Sequence, residues 1–395
     1  MFPAKAALLL LLMKTSLAAA FLFLLALNIF AEPFSDLTFD AASKKAGQTG
    51  KIVLVDFYTT WCAPCKLLEK NTLTDAEVIK VLEQKTVALR LDAEKETNLA
   101  KLYKIEAYPS VLLIKPDGTE LDRLVGYRDA KTFLADFNAS LSGRDSLTRA
   151  KEELTAAGTN DPMARMKYGQ ALAQKGRDAE ALAEYLWCFD HGDASPSFIG
   201  VRLSFLLNYI KSLGTRYPAA EKALESRRDE RQAKVLAGST DLQTILELIS
   251  FNTALDQKEK NLAVFDQLPA GGLARDTVCG LIIDQLLAAK RYADILGGKD
   301  GRSAFGLKVD QFNRMLATVA KDSPTRARME ENFRKYTVAS GAHSFEALAG
   351  LKRNAEGREL AQQILQFDSS PETRTTLAEA ADRAGNAELA QFVKQ

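Results

Sequence analysis

Two cysteines separated by two residues, Cys62 and Cys65, stand in the segment Trp61-Cys62-Ala63-Pro64-Cys65-Lys66. The segment follows an apolar strand-like run directly and opens a helix, a placement that suits thiol–disulfide exchange. A thiolate at a helix N-terminus is stabilised by backbone N–H groups without intrahelical partners and by the helix dipole, so its pKa falls. Two intervening residues let a second thiol attack a mixed disulfide formed by the first. Cys62, at the exposed end, reads as the nucleophile and Cys65, one turn inward, as the resolving thiol. Pro64 sits in the first turn, where it has no N–H to lose and stiffens the loop. Other uses of the pair are weaker. A structural zinc site needs four ligands, and the chain has four cysteines and two histidines in all, with no second Cys-x-x-Cys and no paired His. Haem attachment needs His where Lys66 stands. A plain structural disulfide would not require the strand–Trp–helix context. No cofactor is expected beyond a redox-active Cys62–Cys65 disulfide.

The elements that must position this pair can be read from periodicity. Ile52 to Tyr58 is a buried strand, apolar and β-branched apart from Asp56. Leu67 to Gln84 reads as helix with a break near Asn71-Thr72. Val87 to Leu91 is a second strand and Leu99 to Tyr103 a short helix. Val111 to Ile114 is a third strand, turned by Lys115-Pro116-Asp117-Gly118 into Leu121 to Val125. A helix from Ala130 to Leu141 follows. Strands alternating with helices imply an α/β sheet of mixed direction.

Over residues 34–141 the sequence resembles the thioredoxin superfamily. The run from Val55 to Lys66 matches that family's active-site segment, Trp61 included. Tyr108-Pro109 matches its cis-proline loop and Gly126 a later glycine. The resemblance implies a catalytic set of Cys62, Cys65, Asp56 and Pro109, supported by Trp61, Pro64, Glu69 and Tyr108. Pro109 would be cis and face the cysteines, its neighbouring backbone pairing with an extended substrate. Asp56 would be the buried acid under Cys65 that helps to deprotonate it, and a charge in so apolar a strand is costly without a role or a partner. Aligned on Leu91-Asp92, the family's lysine partner for that acid is replaced by Ala88. A narrower likeness, carried by Cys65 to Val78 and Gly126 to Phe133, is to the periplasmic C-terminal domain of the bacterial thiol:disulfide interchange reductase, in which an acid at the place of Glu69 lies near the cysteines. Glu69 is four residues after Cys65, on the same helical face.

The remaining chain serves other ends. Residues 1–31 hold no acid, two lysines (Lys5 and Lys14) and an apolar run from Leu17 to Ala31, the pattern of a signal peptide or N-terminal anchor, started at Met1 or Met13. The expected location is outside the cytoplasm, periplasmic or secreted. From residue 146 to 395 nearly every window reads as amphipathic helix. Tyr168-Gly169, Leu172, Ala181, Tyr185 and Cys188 resemble one tetratricopeptide repeat, with Arg165 where the leading Trp belongs. Gly176 to Ala181 and Gly385 to Ala390 echo each other as turns that open helices. The predicted fold class is therefore an α/β thioredoxin fold followed by an all-α tetratricopeptide-like domain. Cys188 and Cys279, more than two repeats apart, should be unpaired core thiols. The run Arg227 to Arg231 reads as a solvated helix face, and His191 and His343 as lone residues at helix ends. With 52 basic and 51 acidic residues the chain lacks the positive field of a nucleic-acid binder. The partners expected are protein disulfide substrates, a membrane or soluble thiol electron donor, and proteins docked on the helices. The alternative is a scaffold whose helical region carries the function.

Overall fold

The structure is a computed structural model and describes residues 33–298 and 300–395. The predicted leader, residues 1–31, lies outside the described residues. Two compact units divide the described residues, the first ending at residue 164 and the second spanning residues 165–395.

In the first unit a four-stranded sheet is ordered β2-β1-β3-β4. The strands are β1 (Ile52–Tyr58), β2 (Thr86–Asp92), β3 (Ser110–Ile114) and β4 (Glu120–Val125). β1 runs parallel to β2 and antiparallel to β3, and β3 runs antiparallel to β4. β1 is central and covered on both faces, which explains its nearly unbroken apolar sequence. Val53, Val55 and Phe57 point to one face, under the helices Phe39–Thr49 and Thr97–Leu102. Leu54 points to the other and packs with Leu68, Val78, Leu82, Phe133 and Phe137. The helices of the unit are α1 (Phe39–Thr49), α2 (Ala63–Leu68), α3 (Ala76–Lys85), α4 (Thr97–Leu102), α5 (Ala130–Leu141) and α6 (Ser146–Ala157). α1 was not legible in the sequence: its mixed composition hides two small residues, Ala42 and Ala46, that are fully buried against the sheet. Thr38 caps its start and Gly50, at φ +67°, its end.

The break expected near Asn71-Thr72 is a π-helical turn, Glu69–Leu73. Helix restarts at α3 because Asp75 accepts from the N–H groups of Glu77 and Val78 at 3.0 and 3.2 Å. α6 lies beyond the expected domain boundary at residue 146 yet belongs to the first unit. Asp122 of β4 is fully buried. Its carboxylate accepts from Ser140 Oγ at 2.6 Å, from the Ser146 N–H at 3.0 Å and from Arg149 at 3.2 Å. A buried charge needs such partners, and two of these three lie in α6.

The second unit is helical. Helix lengths run from the four residues of Ile199–Arg202 to the 25 of Arg326–Gly350. One turn recurs between helices. A residue of positive φ is followed by one whose N–H reaches back five positions to a carbonyl: Arg177 to Leu172, Ser239 to Lys234, Gln257 to Asn252, Arg291 to Leu286, Arg353 to Leu348 and Asn386 to Ala381. In three of them the arginine then pairs with an acid three residues on, Glu180, Asp294 or Glu356. The positive-φ residues are Gly176, Gly238, Asp256, Lys290, Lys352 and Gly385, and only Gly176 and Gly385 stood out as echoes in the sequence. Asp256 and Lys290 are 34 positions apart, and Lys352 and Gly385 are 33.

Three sequence readings change here. The run from Arg227 to Arg231 is not a wholly solvated face: Arg228 is buried and donates to Gln257 Oε1 at 2.6 Å, and Arg231 pairs with the buried Glu247 at 2.8 Å. Glu247 also holds Arg202 at 2.7 Å, so the run supplies counter-charge to a buried acid. His343 lies inside Arg326–Gly350 rather than at a helix end, 3.7 Å from Asp284, and burial lowers its pKa. Trp187 is stacked on His191 with the Arg165 guanidinium 4.0 Å from its ring. Cys188 is a buried thiol. Cys279, also a thiol, is half-buried rather than in the core, with its Sγ 3.7 Å from the Asp294 carbonyl.

Candidate active site

β1 ends at Tyr58, and four residues later the chain turns into α2. Cys62 is the N-cap of that helix and Cys65 lies in its first turn. The two are joined as a disulfide with Cα atoms 5.3 Å apart. Cys62 Sγ accepts the Cys65 N–H at 3.1 Å, the interaction that would steady a thiolate at this position. Exposure does not distinguish the two sulfurs as the sequence suggested. Cys62 and Cys65 are 4% and 2% exposed, because the disulfide sits beneath the exposed rim of Trp61, Ala63 and Pro64. What distinguishes them is helix position: Cys62 stands at the free N–H groups and Cys65 within the turn. Pro64 lies in the first turn, as its lack of an N–H allows.

Trp61 is 66% exposed. Its Nε1 donates to Glu94 Oε1 at 3.0 Å, and its ring meets Tyr108 edge to face at 6.0 Å. That contact joins the cysteine loop to the loop of Tyr108 and Pro109, whose peptide bond is cis. Pro109 is buried, and its carbonyl accepts the Gly126 N–H at 2.8 Å, which ties the loop to the end of β4.

Asp56 lies on the same face of β1 as Leu54, toward the layer that contains α2. It is 1% exposed. Burial pushes its pKa up to about 6, against the opposing pull of the Arg90 charge. Arg90 is the residue that the sequence reading missed. Alignment pointed to Ala88 as the lost cation position, but Ala88 and Arg90 share one face of β2, and Arg90 is the register partner of Asp56. Its Nε stands 3.2 Å from Asp56 Oδ2, its other side holds Glu69 Oε1, and its guanidinium lies 4.5 Å from the centre of the Tyr58 ring. The signal was available: an arginine inside an apolar strand, in phase with an acid on the neighbouring strand. Asp56 Oδ1 is buried and has no hydrogen-bond partner among the described residues. Glu69 donates its backbone N–H to the Cys65 carbonyl, while its carboxylate goes to Arg90. That hydrogen bond holds its pKa below the usual range. The structure thus brings Cys62, Cys65, Pro64 and Trp61 together with Tyr108 and Pro109, and gathers Asp56 and Glu69 on Arg90. Among the described residues no group of three or more His, Cys, Asp or Glu could hold a metal ion.

Comparison with known proteins agrees with this geometry. A family model for a thioredoxin-like domain matches residues 39–140. Thioredoxin Y1 of Arabidopsis thaliana is 38% identical over 104 residues, 26% of this chain and 58% of that protein. An H-type thioredoxin of Oryza sativa subsp. indica is 39% identical over 90 residues, 23% of this chain and 70% of that protein. The thiol:disulfide interchange protein DsbD of Pseudomonas fluorescens is 32% identical over 123 residues, 30% of this chain and 21% of that much longer protein. With its cysteines joined at a helix cap and its proline loop beside them, the chain belongs to the thioredoxin family through residues 39–140, a thioredoxin-like thiol–disulfide oxidoreductase domain.

Proposed function

We propose that the protein is an exported thiol–disulfide oxidoreductase that reduces or isomerises protein disulfides, with the helical unit docking its partners. The observation that carries this reading is the Cys62–Cys65 disulfide at the cap of α2, flanked by Trp61 and the cis Tyr108-Pro109 loop. In the reducing direction the Cys62 thiolate attacks a substrate disulfide, forms a Cys62–substrate bond and releases one substrate thiolate. Cys65 then gives up its proton, attacks Cys62 Sγ, closes the Cys62–Cys65 bond and releases the second thiolate. Two electrons pass to the substrate, and the released thiolates take protons from solvent. A thiol donor must then return two electrons to the pair, since no other cofactor is proposed. The exposed rings of Trp61 and Tyr127 offer an apolar rim for an extended substrate segment.

The direction of flow follows from the residues between the sulfurs. Pro64 offers neither an N–H nor a charge to the Cys62 thiolate. A less stabilised thiolate makes a more reducing pair. Two of the intervals between the recurring turns, Asp256 to Lys290 and Lys352 to Gly385, are 34 and 33 residues, the length of one tetratricopeptide repeat, and this supports a tetratricopeptide-like reading of those stretches and hence a docking role. The residues before Pro33 support export by their composition alone.

Insulin reduction by the full chain tests the activity: turnover abolished in Cys62→Ser is the expected result. An intact pair that reduces nothing would leave the helical unit as the working part. N-terminal sequencing of the native protein tests export. A start near residue 32 is expected, and a cytosolic product beginning at Met1 or Met13 would refute it.

A further inference from the structure

Helix α6 lies wholly beyond residues 39–140, the stretch that matches the thioredoxin-like family. A continuous set of polar contacts nevertheless runs from it to the Pro109 loop. Arg149 of α6 places its Nη2 3.2 Å from Asp122 Oδ2 and its Nε 3.3 Å from Asp136 Oδ1 on α5. Its Nη1 donates to Ser140 Oγ at 3.0 Å and to the Arg144 carbonyl at 2.6 Å, which fixes the plane of the guanidinium. The other oxygen of Asp136 accepts from Arg128 Nε at 2.6 Å. Arg128 then donates from Nη1 to the Val125 carbonyl at 2.8 Å and to the Gly126 carbonyl at 3.2 Å. The Gly126 N–H closes the series on the Pro109 carbonyl at 2.8 Å. A planar fork serves several acceptors at once, as a lysine ammonium does not. Arg128 is tied to the cysteine side as well: its own carbonyl accepts the hydroxyl of Thr72 at 2.5 Å, and Thr72 is buried in the π-helical turn that continues α2. β4 ends at Val125, so the backbone of residues 126–128 is held by these contacts rather than by strand pairing. Between Gly126 and Arg128 stands Tyr127, whose ring is exposed on the rim of the site.

We infer that Arg128, Asp136 and Arg149 are positioning residues for substrate recognition: they hold Tyr127 and the Pro109 loop in the geometry that grips an extended segment of a protein disulfide substrate, and α6 is thereby part of the active site. This rests on the thiol–disulfide exchange proposed above. All three side chains are mostly buried, where an ion pair is less screened than on the open surface. They act through the backbone of the rim, and the chemistry of Cys62 and Cys65 is left to the groups already described. A small aromatic disulfide needs only the reach of Cys62, whereas a protein disulfide needs the rim as well. The three residues should therefore govern the choice between the two kinds of substrate.

Asp136→Ala removes the carboxylate shared by the two arginines while leaving Asp122 its three donors. Arg128→Met cuts the same link from the other side. Asp136→Asn keeps the volume and one acceptor oxygen, and should recover part of the wild-type behaviour. Arg149→Met should act in the same direction, but it also takes a donor from Asp122, so the variants at 128 and 136 decide. Oxidation of the reduced full chain by excess insulin, followed through Trp61 fluorescence, is compared with its oxidation by 5,5′-dithiobis(2-nitrobenzoic acid). The expected result is a ratio of insulin rate to small-disulfide rate about fivefold lower in Asp136→Ala and in Arg128→Met, and about twofold lower in Asp136→Asn. The double variant Arg128→Met/Asp136→Ala should be no worse than the worse single one, since both break one link. Deuterium exchange at the Gly126 amide reads the hold on the loop directly and should be about tenfold faster in each single variant. Equal losses with the two disulfides, an unmoved ratio in Asp136→Ala, or losses that multiply in the double variant would overturn the assignment. A wild-type chain that reduces neither disulfide would refute the exchange reading itself, while exchange at Gly126 would still decide whether these residues hold the Pro109 loop.

Discussion

At the scale of single residues, Asp56 shows what the site costs. An acid whose folded pKa is raised contributes stability that is complete below its unfolded value near 3.8 and is lost as pH rises through its folded value of about 6. Above pH 6 the charged form therefore sits in the fold at a cost of about 3 kcal/mol. Asp56→Asn should stabilise the protein by about 1–3 kcal/mol at pH 8 and by little at pH 4. Urea unfolding at the two pH values checks this, and equal effects at both would contradict it. The same substitution should slow the resolving step, since Asn cannot take the proton. Cys62 makes a separate prediction. Its place at the cap of α2 should make it the first thiol alkylated in the reduced protein near neutral pH, with Cys65 following only at higher pH. Peptide mass spectrometry after a brief iodoacetamide pulse reads the order.

At the scale of elements, the turn from β1 into α2 sets the redox poise. Ala63 and Pro64 supply no charge to the sulfurs, so the potential should lie nearer about −270 mV than about −120 mV. Equilibration against glutathione, followed through Trp61 fluorescence, measures it. A value at the oxidising end would make the pair an oxidant. Helix contacts in the second unit are as specific. Gly350 of the long helix Arg326–Gly350 lies flat on the ring of Tyr292, and a Cβ there would stand 2.2 Å from Tyr292 Cε2. Tyr292 is itself buried. Gly350→Ala should therefore destabilise the helical unit by about 1–3 kcal/mol through overpacking, seen as a lower urea midpoint. The paired variant Gly350→Ala/Tyr292→Leu should regain part of the loss.

At the scale of the whole molecule, the thioredoxin-like unit extends past the end of its family match. Asp122 is satisfied by Ser140 of α5 but also by the Ser146 N–H and Arg149 of α6. A fragment of residues 33–164 should fold stably. One of residues 33–141 leaves a buried carboxylate with a single neutral donor and should lose about 3–5 kcal/mol, which chemical denaturation of the two fragments would compare. Equal stability would show that α6 is dispensable. The sequence by itself determined the local features: the strand of Ile52 to Tyr58, the cysteine motif at a helix opening, the turn at Lys115 to Gly118 and the helical character beyond residue 146. These depend on periodicity and on residues whose backbone preferences are strong, so a short window carries them. Tertiary structure alone decided which cation faces Asp56, because strand register makes Arg90 rather than Ala88 its partner. It decided that α6 belongs with the sheet, because a carboxylate on β4 draws donors from 24 and 27 positions away. It also exposed the recurring turn between helices, where lysine and aspartate adopt the positive φ that glycine adopts elsewhere. Each of these turns on pairing between distant segments, which burial enforces and no local window contains.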